Sequence, residues 1–448
     1  MANRRNYTGK SRTSGRGDVR KLKAEPLIEN IKLTWDVPDY GVAGVEIFGK
    51  SEDDSSFEFL GVFPPYIKEA FFYSEPFSVV SLRVKLRYED GLSSRGKTIQ
   101  ASSLHKNVVA DSYEGRNLFI YLPDGYYEDD RLYPVMYMMD GQNLFSEKFS
   151  FSGSWLADKV MDWLCEAELI EQFIIVGIFN SENRDEEYTP NEDPEEGGGG
   201  AEEFAEFLTD ELIPWVEAKY KISSRREDRG IMGSSYGGLF SFWTAINYPE
   251  LFSFAGAMSP SFWHTNGAIL NEIPEKGRLP LKIWICHGTE EWSDFTRPVV
   301  DLLLEQGYEY GEDLVYYEVY GMDHNEAAWG ERLSFPFIFF RGQQAEEIID
   351  FNAYLQVVRD EDYGDDAEIY INSVAYFDNG IKYSIYRQAD YTSDSDTVTV
   401  DEAGRVFLTE REDFNVTAQF GDYSETLEIV YEDIEEEMML LYEKQAGD

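Results

Sequence analysis

An α/β domain on a doubly wound, mainly parallel sheet, with an all-β sandwich on either side, is the fold that this 448-residue sequence predicts. Two observations carry it. Residues 105–345 alternate short apolar runs with longer segments of helical period, the texture of βαβ units. Residues 25–104 and 349–432 instead alternate polar and apolar residues with a period of two, broken by turn residues, as antiparallel sheets do.

In chain order, residues 1–24 come first and set Arg4, Arg5, Lys10, Arg12, Arg16 and their neighbours against a single Asp18. They read as a flexible basic arm. The arm lacks the apolar core of a signal peptide, so classical secretion is not expected. Beyond it, "IKLTW", "GVEIFGK", "FEFLGVF" and "SLRVKLRYEDG" predict strands of a sandwich over 25–104. Trp35, "VEIF" and "RVKLRYEDGLSS" together resemble a fibronectin type III domain.

From 105 to 345 the strand candidates are "LFIYL", "YPVMYMM", "FIIVGIF", "RGIMG", "FAGAMS", "LKIWICHG" and "LVYYEVY". Segments 154–170, 201–220, 238–252 and 296–308 place apolar residues at helical spacing between them. The acidic, Gly-rich stretch 186–200 is predicted to be a long surface loop. Strand texture returns over 349–432, where a hairpin around Gly404 followed by "VTA" at 416–418 resembles a bacterial Ig-like domain. Residues 433–448 form an acidic tail whose small apolar patch reads as a helix or a docking segment.

Composition narrows the function classes. Hydrophobic residues at 43% and aromatics at 15% are enough for folded cores. A formal charge of −47 repels nucleic-acid phosphates and anionic lipid, and no run approaches the length of a membrane span, so nucleic-acid partners and membrane insertion are not expected. Cys165 and Cys286 sit in apolar contexts and read as free buried thiols. The four histidines, His105, His264, His287 and His324, lack metal-ligand spacing, and no metal is expected.

The chemistry starts at Gly233-Ser234-Ser235-Tyr236-Gly237, a G-x-S-x-G between a predicted strand and a predicted helix. A serine in that place makes a sharp strand-to-helix turn that exposes its hydroxyl, while the flanking glycines let strand and helix approach. Ser235 is therefore the candidate nucleophile, and the Tyr236 amide, at the helix start, a candidate oxyanion donor. An α/β-hydrolase then needs an acid and a histidine, in that order. His324 follows a strongly apolar strand, and Glu290, Glu291 and Asp294 are the carboxylates in the loop after the preceding strand. His287 reads as a strand-end residue, His264 as a residue of the site mouth and His105 as linker.

These segments resemble the esterases related to esterase D and enterochelin esterase, which are α/β-hydrolases. The resemblance rests on "YPVMYMMDGQNLF", "NRDEEYTP", "GSSYGGLFSFWTAINYPELFSFAGAMSPSFW", "HGTEE" and "GMDHNEAAW", five ordered motifs over about 240 residues. It implies Ser235 as nucleophile, His324 as general base and Glu291, fourth in a G-T-x-[DE] pattern, as the acid. It also implies the Gln142 backbone amide as second oxyanion donor. Asp140 stands where many relatives have His; as a carboxylate it is expected to brace the loop through backbone N–H bonds. The aromatics of "SPSFWH" and Trp329 are candidate pocket walls.

The expectation is a serine carboxyl-ester hydrolase that needs no cofactor, acting on an acyl-ester substrate, with glycan-linked acyl groups as the class suggested by the flanking sandwiches. The alternative is a structural or adhesion protein of a virion, joined to assembly proteins through the arm and β domains, in which the hydrolase is a display module. A virion esterase would satisfy both; outside a virion, the missing signal peptide points to the cytoplasm.

Overall fold

The computed structural model describes residues 17–445 apart from 28, 39–40, 52–53, 151–152, 195–196, 292–294 and 360–366. The chain divides into two compact units, Met1–Ala110 and Asp111–Asp448.

In the first unit, strands Arg20–Leu27, Asn30–Asp36 and Glu69–Tyr73 form one antiparallel sheet, and Glu58–Phe63, Val42–Ser51, Val80–Tyr88 and Lys97–Ala101 form another. Period-two alternation buries Ile31, Leu33 and Trp35 on one strand, Ile47 on a second and Leu82 and Val84 on a third. The basic arm does not stay free as far as residue 24. A strand begins at Arg20, because Leu22 and Ala24 alternate with the lysines and pack on this core behind a fully buried Val19. The Asp18 carboxylate fixes that start by accepting from Ser94 Oγ at 2.7 Å and Gly96 N–H at 3.0 Å. The rest of the arm, residues 1–16, lies outside the described residues.

The second unit is organised by an eight-stranded sheet. Its strands are β1 (Val108–Tyr113, which begins three residues before the boundary at Asp111), β2 (Arg116–Tyr121), β3 (Val135–Met138), β4 (Ile174–Ile178), β5 (Arg229–Ser234), β6 (Phe254–Met258), β7 (Lys282–Gly288) and β8 (Leu314–Val319). They lie in the order β1-β2-β4-β3-β5-β6-β7-β8. All pairs from β4 through β8 are parallel, whereas β2 pairs with β4 antiparallel. Strands β3 to β6 have no exposed residue, which is why they read as unbroken apolar runs: a parallel sheet is covered on both faces. Helices Ala157–Glu166, Tyr236–Asn247 and Thr296–Glu305 make crossovers, and an α–π–α run over Ala201–Lys219 leads into β5. This is the α/β-hydrolase architecture.

One segment differs from expectation. Residues 186–200 are not simply a surface loop: Arg184–Tyr188 is helical, Tyr188 and Thr189 are buried, and Glu192–Asp193 pairs with Gly197–Gly198. Glycine lets this stretch fold inward, since a Cβ on Gly198 would come within 2.1 Å of Thr189 Oγ1. The acidic end of the chain forms a helix, Tyr431–Gln445, anchored by a fully buried Ile434.

Between the hydrolase sheet and that helix lie two further sheets, one around the long strands Ile348–Arg359 and Ala367–Phe377, the other of Asp390–Ser393, Phe414–Phe420 and Tyr423–Ile429. They dock on the hydrolase: Arg387 forks onto Asp301 with both contacts at 2.5 Å, and Tyr386 OH donates to the same carboxylate at 2.9 Å. Among the described residues no helix is long and apolar enough to cross a membrane.

Candidate active site

β5 ends at Ser234 and Tyr236 opens the next helix, so Ser235 alone makes the strand-to-helix turn. It does so at φ 57°, ψ −129°, a strained conformation for an L residue. Backbone bonds hold it there. Ser235 N–H donates to Met258 O at 3.0 Å, and Gly238 N–H and Leu239 N–H each donate to Ser235 O at 3.0 Å. A Cβ on Gly233 would lie 2.4 Å from Gly237 O, and one on Gly237 3.0 Å from Met139 Cβ, so the close approach needs both glycines. The Ser235 hydroxyl is half-buried and meets Ser261 Oγ at 3.4 Å.

Glu291, in the turn after β7, and His324, in the turn after β8, are brought together, with His324 Nδ1 2.5 Å from Glu291 Oε2. The Glu291 side chain is wholly buried, while 39% of the His324 side chain is exposed, so the ring is held at Nδ1 and remains reachable. The other Glu291 oxygen accepts from Ser259 Oγ at 2.6 Å and from Gly288 N–H. Burial pushes this carboxyl up, but the His324 contact, the nearby His287 and the Gly288 amide outweigh it and hold Glu291 below the usual carboxylate range. An ionised acid at that distance assigns the proton to His324 Nδ1 and leaves Nε2 as the acceptor. Of the other carboxylates considered, Glu290 uses its N–H on Met322 O at 3.0 Å, and Asp294 lies outside the described residues.

Ser259 is a hub that sequence reasoning missed. Besides donating to Glu291, its Oγ accepts from Trp329 Nε1 at 2.8 Å and Arg332 Nη2 at 2.7 Å. Trp329 also stands edge-on to His324, ring centroids 5.0 Å apart at 82°. Trp329 is thus a buried brace rather than an open pocket wall, because an indole N–H taken out of water needs an acceptor. Phe262, from the same set of aromatics, is fully buried core.

The structure does not join Ser235 to His324 by a hydrogen bond; among the described residues the hydroxyl's partner is Ser261. Such bonds often tighten only when substrate is bound.

The turn expected to supply the second oxyanion donor follows β3, where Asp140, at φ 54°, leads into the 3-10 turn Gly141–Asn143. A Cβ on Gly141 would fall 2.2 Å from the Gly177 carbonyl carbon, so this turn is pressed onto β4. Gln142 is its middle residue, and its Oε1 accepts from Asn180 N–H at 3.3 Å. Tyr236 follows Ser235 directly at the first position of the helix.

Asp140 does not brace the loop through backbone amides. Arg184 grips both its oxygens, Nε to Oδ1 and Nη2 to Oδ2 at 2.8 Å each, and Asn180 Nδ2 adds a bond at 2.9 Å. A guanidinium fork satisfies a buried carboxylate more fully than scattered amides can, and two of the turn's amides, Asn143 and Leu144, already bond within it. Arg184 lies in the "NRDEEYTP" segment, but nothing there announces its partner.

His264 Nε2 donates to Asn191 O at 2.9 Å, and the ring stands edge-on to Tyr236 and borders a cavity of about 180 Å³ with Tyr236, Asp185 and Thr189. His287 is a buried residue of β7. His105 belongs to the first unit and stacks on Phe77. Cys165 and Cys286 are free thiols, and burial pushes both up, Cys165 to about 11, which keeps them protonated and inert.

Residues 113–340, just over half of the chain, match the family model described as "Putative esterase". Uncharacterized protein YbbA of Bacillus subtilis is 26% identical over 193 residues, 42% of this chain and 73% of that protein. A siderophore enterobactin esterase of Emericella nidulans is 38% identical over 92 residues, 19% of this chain and 30% of its own. An endo-1,4-beta-xylanase/feruloyl esterase of Xylanibacter ruminicola is 29% identical over 147 residues, 31% of this chain and 19% of its own. The chain thus spans less than a third of the length of the latter two. By the extent of the family match, the chain belongs to the esterase family, carboxylic ester hydrolases of the serine hydrolase class.

Proposed function

We propose that this chain cleaves carboxylic esters through an acyl-enzyme on Ser235. The Ser235 oxygen attacks the ester carbonyl while His324 Nε2 takes its proton, and the carbonyl oxygen, now anionic, is held by the Tyr236 and Gln142 amides. Collapse breaks the bond to the alcohol, which leaves with the proton returned by His324. Water then repeats the sequence on the acyl-enzyme and frees the acid. Glu291 holds the imidazole in the productive tautomer throughout and stabilises it when charged. The observation that carries this reading is the 2.5 Å Glu291–His324 contact in the two turns that follow β7 and β8, on the same sheet whose β5 ends in the strained Ser235 turn.

Acyl groups on a polysaccharide are the substrate class we favour, with the N-terminal sheets read as a fibronectin type III-like domain and the C-terminal ones as an Ig-like domain. The name of the xylanase/feruloyl esterase relative supports that class. Turnover of p-nitrophenyl acetate by wild type and Ser235→Ala, with fluorophosphonate labelling, tests the reaction. Equal rates and no labelling would leave only the display role. The virion setting rests on the charge contrast between the arm and the body, and unchanged incorporation of a chain lacking residues 1–24 into particles would remove that support.

A further inference from the structure

β8 carries one acidic side chain that is 98% removed from solvent, Glu318, and the proposed mechanism gives it no task. Its two oxygens reach the two flanks of the segment that bears Glu291. Oε1 is 3.4 Å from His287 Nε2, the last side chain of β7, and Oε2 accepts from Arg297 Nη2 at 2.5 Å, in the first turn of helix Thr296–Glu305. Next to these contacts the turns are knitted together: Thr289 N–H donates to Val319 O at 3.0 Å and Gly321 N–H to Thr289 Oγ1 at 2.9 Å. Gly288, adjacent to His287, gives its N–H to Glu291.

The C-terminal sheets hold the main chain of the same residue. Glu318 N–H donates to Ser384 Oγ and Asn372 Nδ2 to Glu318 O, both at 3.0 Å. The Arg297 guanidinium lies over the rings of Tyr370 and Tyr386, 4.1 and 4.8 Å from their centroids. Burial alone would push Glu318 up, yet Arg297 and His287 hold it down at about 2, so it stays charged. A buried ion pair is a poor stabiliser, because desolvation offsets much of its attraction. What it does supply is a fixed geometry.

We infer that Glu318 is a positioning residue: it clasps His287 and Arg297, thereby setting Glu291 against His324, and the C-terminal sheets seal that clasp. On this view the C-terminal region supports the reaction centre and is not a spacer, although the family match ends at Phe340, before any sealing residue. The inference rests on Glu291, His324 and Ser235 acting as proposed above.

The test uses the full chain, p-nitrophenyl acetate and active-site concentration from fluorophosphonate titration. Glu318→Asp keeps the charge but shortens its reach, and the double change Asn372→Ala/Ser384→Ala opens the seal while leaving the hydrolase domain's side chains in place. Each should lower kcat per labelled site by about tenfold or more, with KM within about twofold of wild type. Unchanged kcat per labelled site in the double variant overturns the clasp, even if Glu318→Asp fails to fold. A wild type without turnover, or a Ser235→Ala chain as fast as wild type, sinks instead the reading underneath.

Discussion

Ser259 gives its hydroxyl proton to Glu291 at 2.6 Å while receiving Trp329 Nε1 and Arg332 Nη2 on the same oxygen. Ser259→Ala therefore strips one donor from the acid and leaves two buried donors without this acceptor. Each such loss costs about 1–3 kcal/mol, so denaturant unfolding should show a drop of at least that size, accompanied by a fall in kcat. A variant of wild-type stability and rate would show that the hub bears no load.

Ser235 sits where only glycine is comfortable. Ser235→Ala and Ser235→Gly should both abolish nucleophilic turnover, with losses on the order of 10⁴-fold or more. They should differ in stability: Gly relieves the positive φ, so Ser235→Gly should be the more stable of the two by about 1–3 kcal/mol in paired thermal or denaturant melts.

Because the folded-state pKa of Glu291 is lowered, the unfolded chain binds its proton first as pH falls. The stability this gives is fully present above the ordinary carboxylate value of about 4.3 and is lost as pH drops toward the lower folded value. Unfolding free energy of wild type should thus fall more steeply below about pH 4.5 than that of Glu291→Gln. Parallel curves for the two proteins would contradict the shift.

At Gly141 the added methyl of Gly141→Ala meets the main chain of Gly177 and Ile178, neither of which can step aside cheaply. A loss of about 3 kcal/mol or more is expected, together with a lower kcat, since the turn that carries Gln142 must move.

How much of this was legible beforehand depended on whether a side chain's partner was near in sequence. The Ser235 turn announces itself, since Gly233 is required by a contact to Gly237 only four residues on, although Gly237 itself packs against the distant Met139. The burial of β3 to β6 was visible as unbroken apolar runs, and the sheet order follows the hydrolase pattern. Ser259, Arg332 and Arg184 were invisible because their partners lie 32 to 73 residues away and a serine or arginine has no pattern of its own. Asp140 was singled out by its type, yet its true partner is the Arg184 guanidinium, a choice set by tertiary geometry. The start of the first strand at Arg20 was masked by charge: the lysines there are solvent-facing members of an alternating strand, and net charge says nothing about alternation.

Met258 and Ser259 are consecutive residues at the end of β6, and the carbonyl of the first holds the Ser235 backbone while the hydroxyl of the second holds the Glu291 carboxylate. Two of the three side chains expected to cooperate are thereby referenced to a single peptide unit. Anyone transplanting this constellation onto another parallel sheet would have to carry that dipeptide along; copying Ser235, Glu291 and His324 alone would transfer the reagents without the ruler that spaces them.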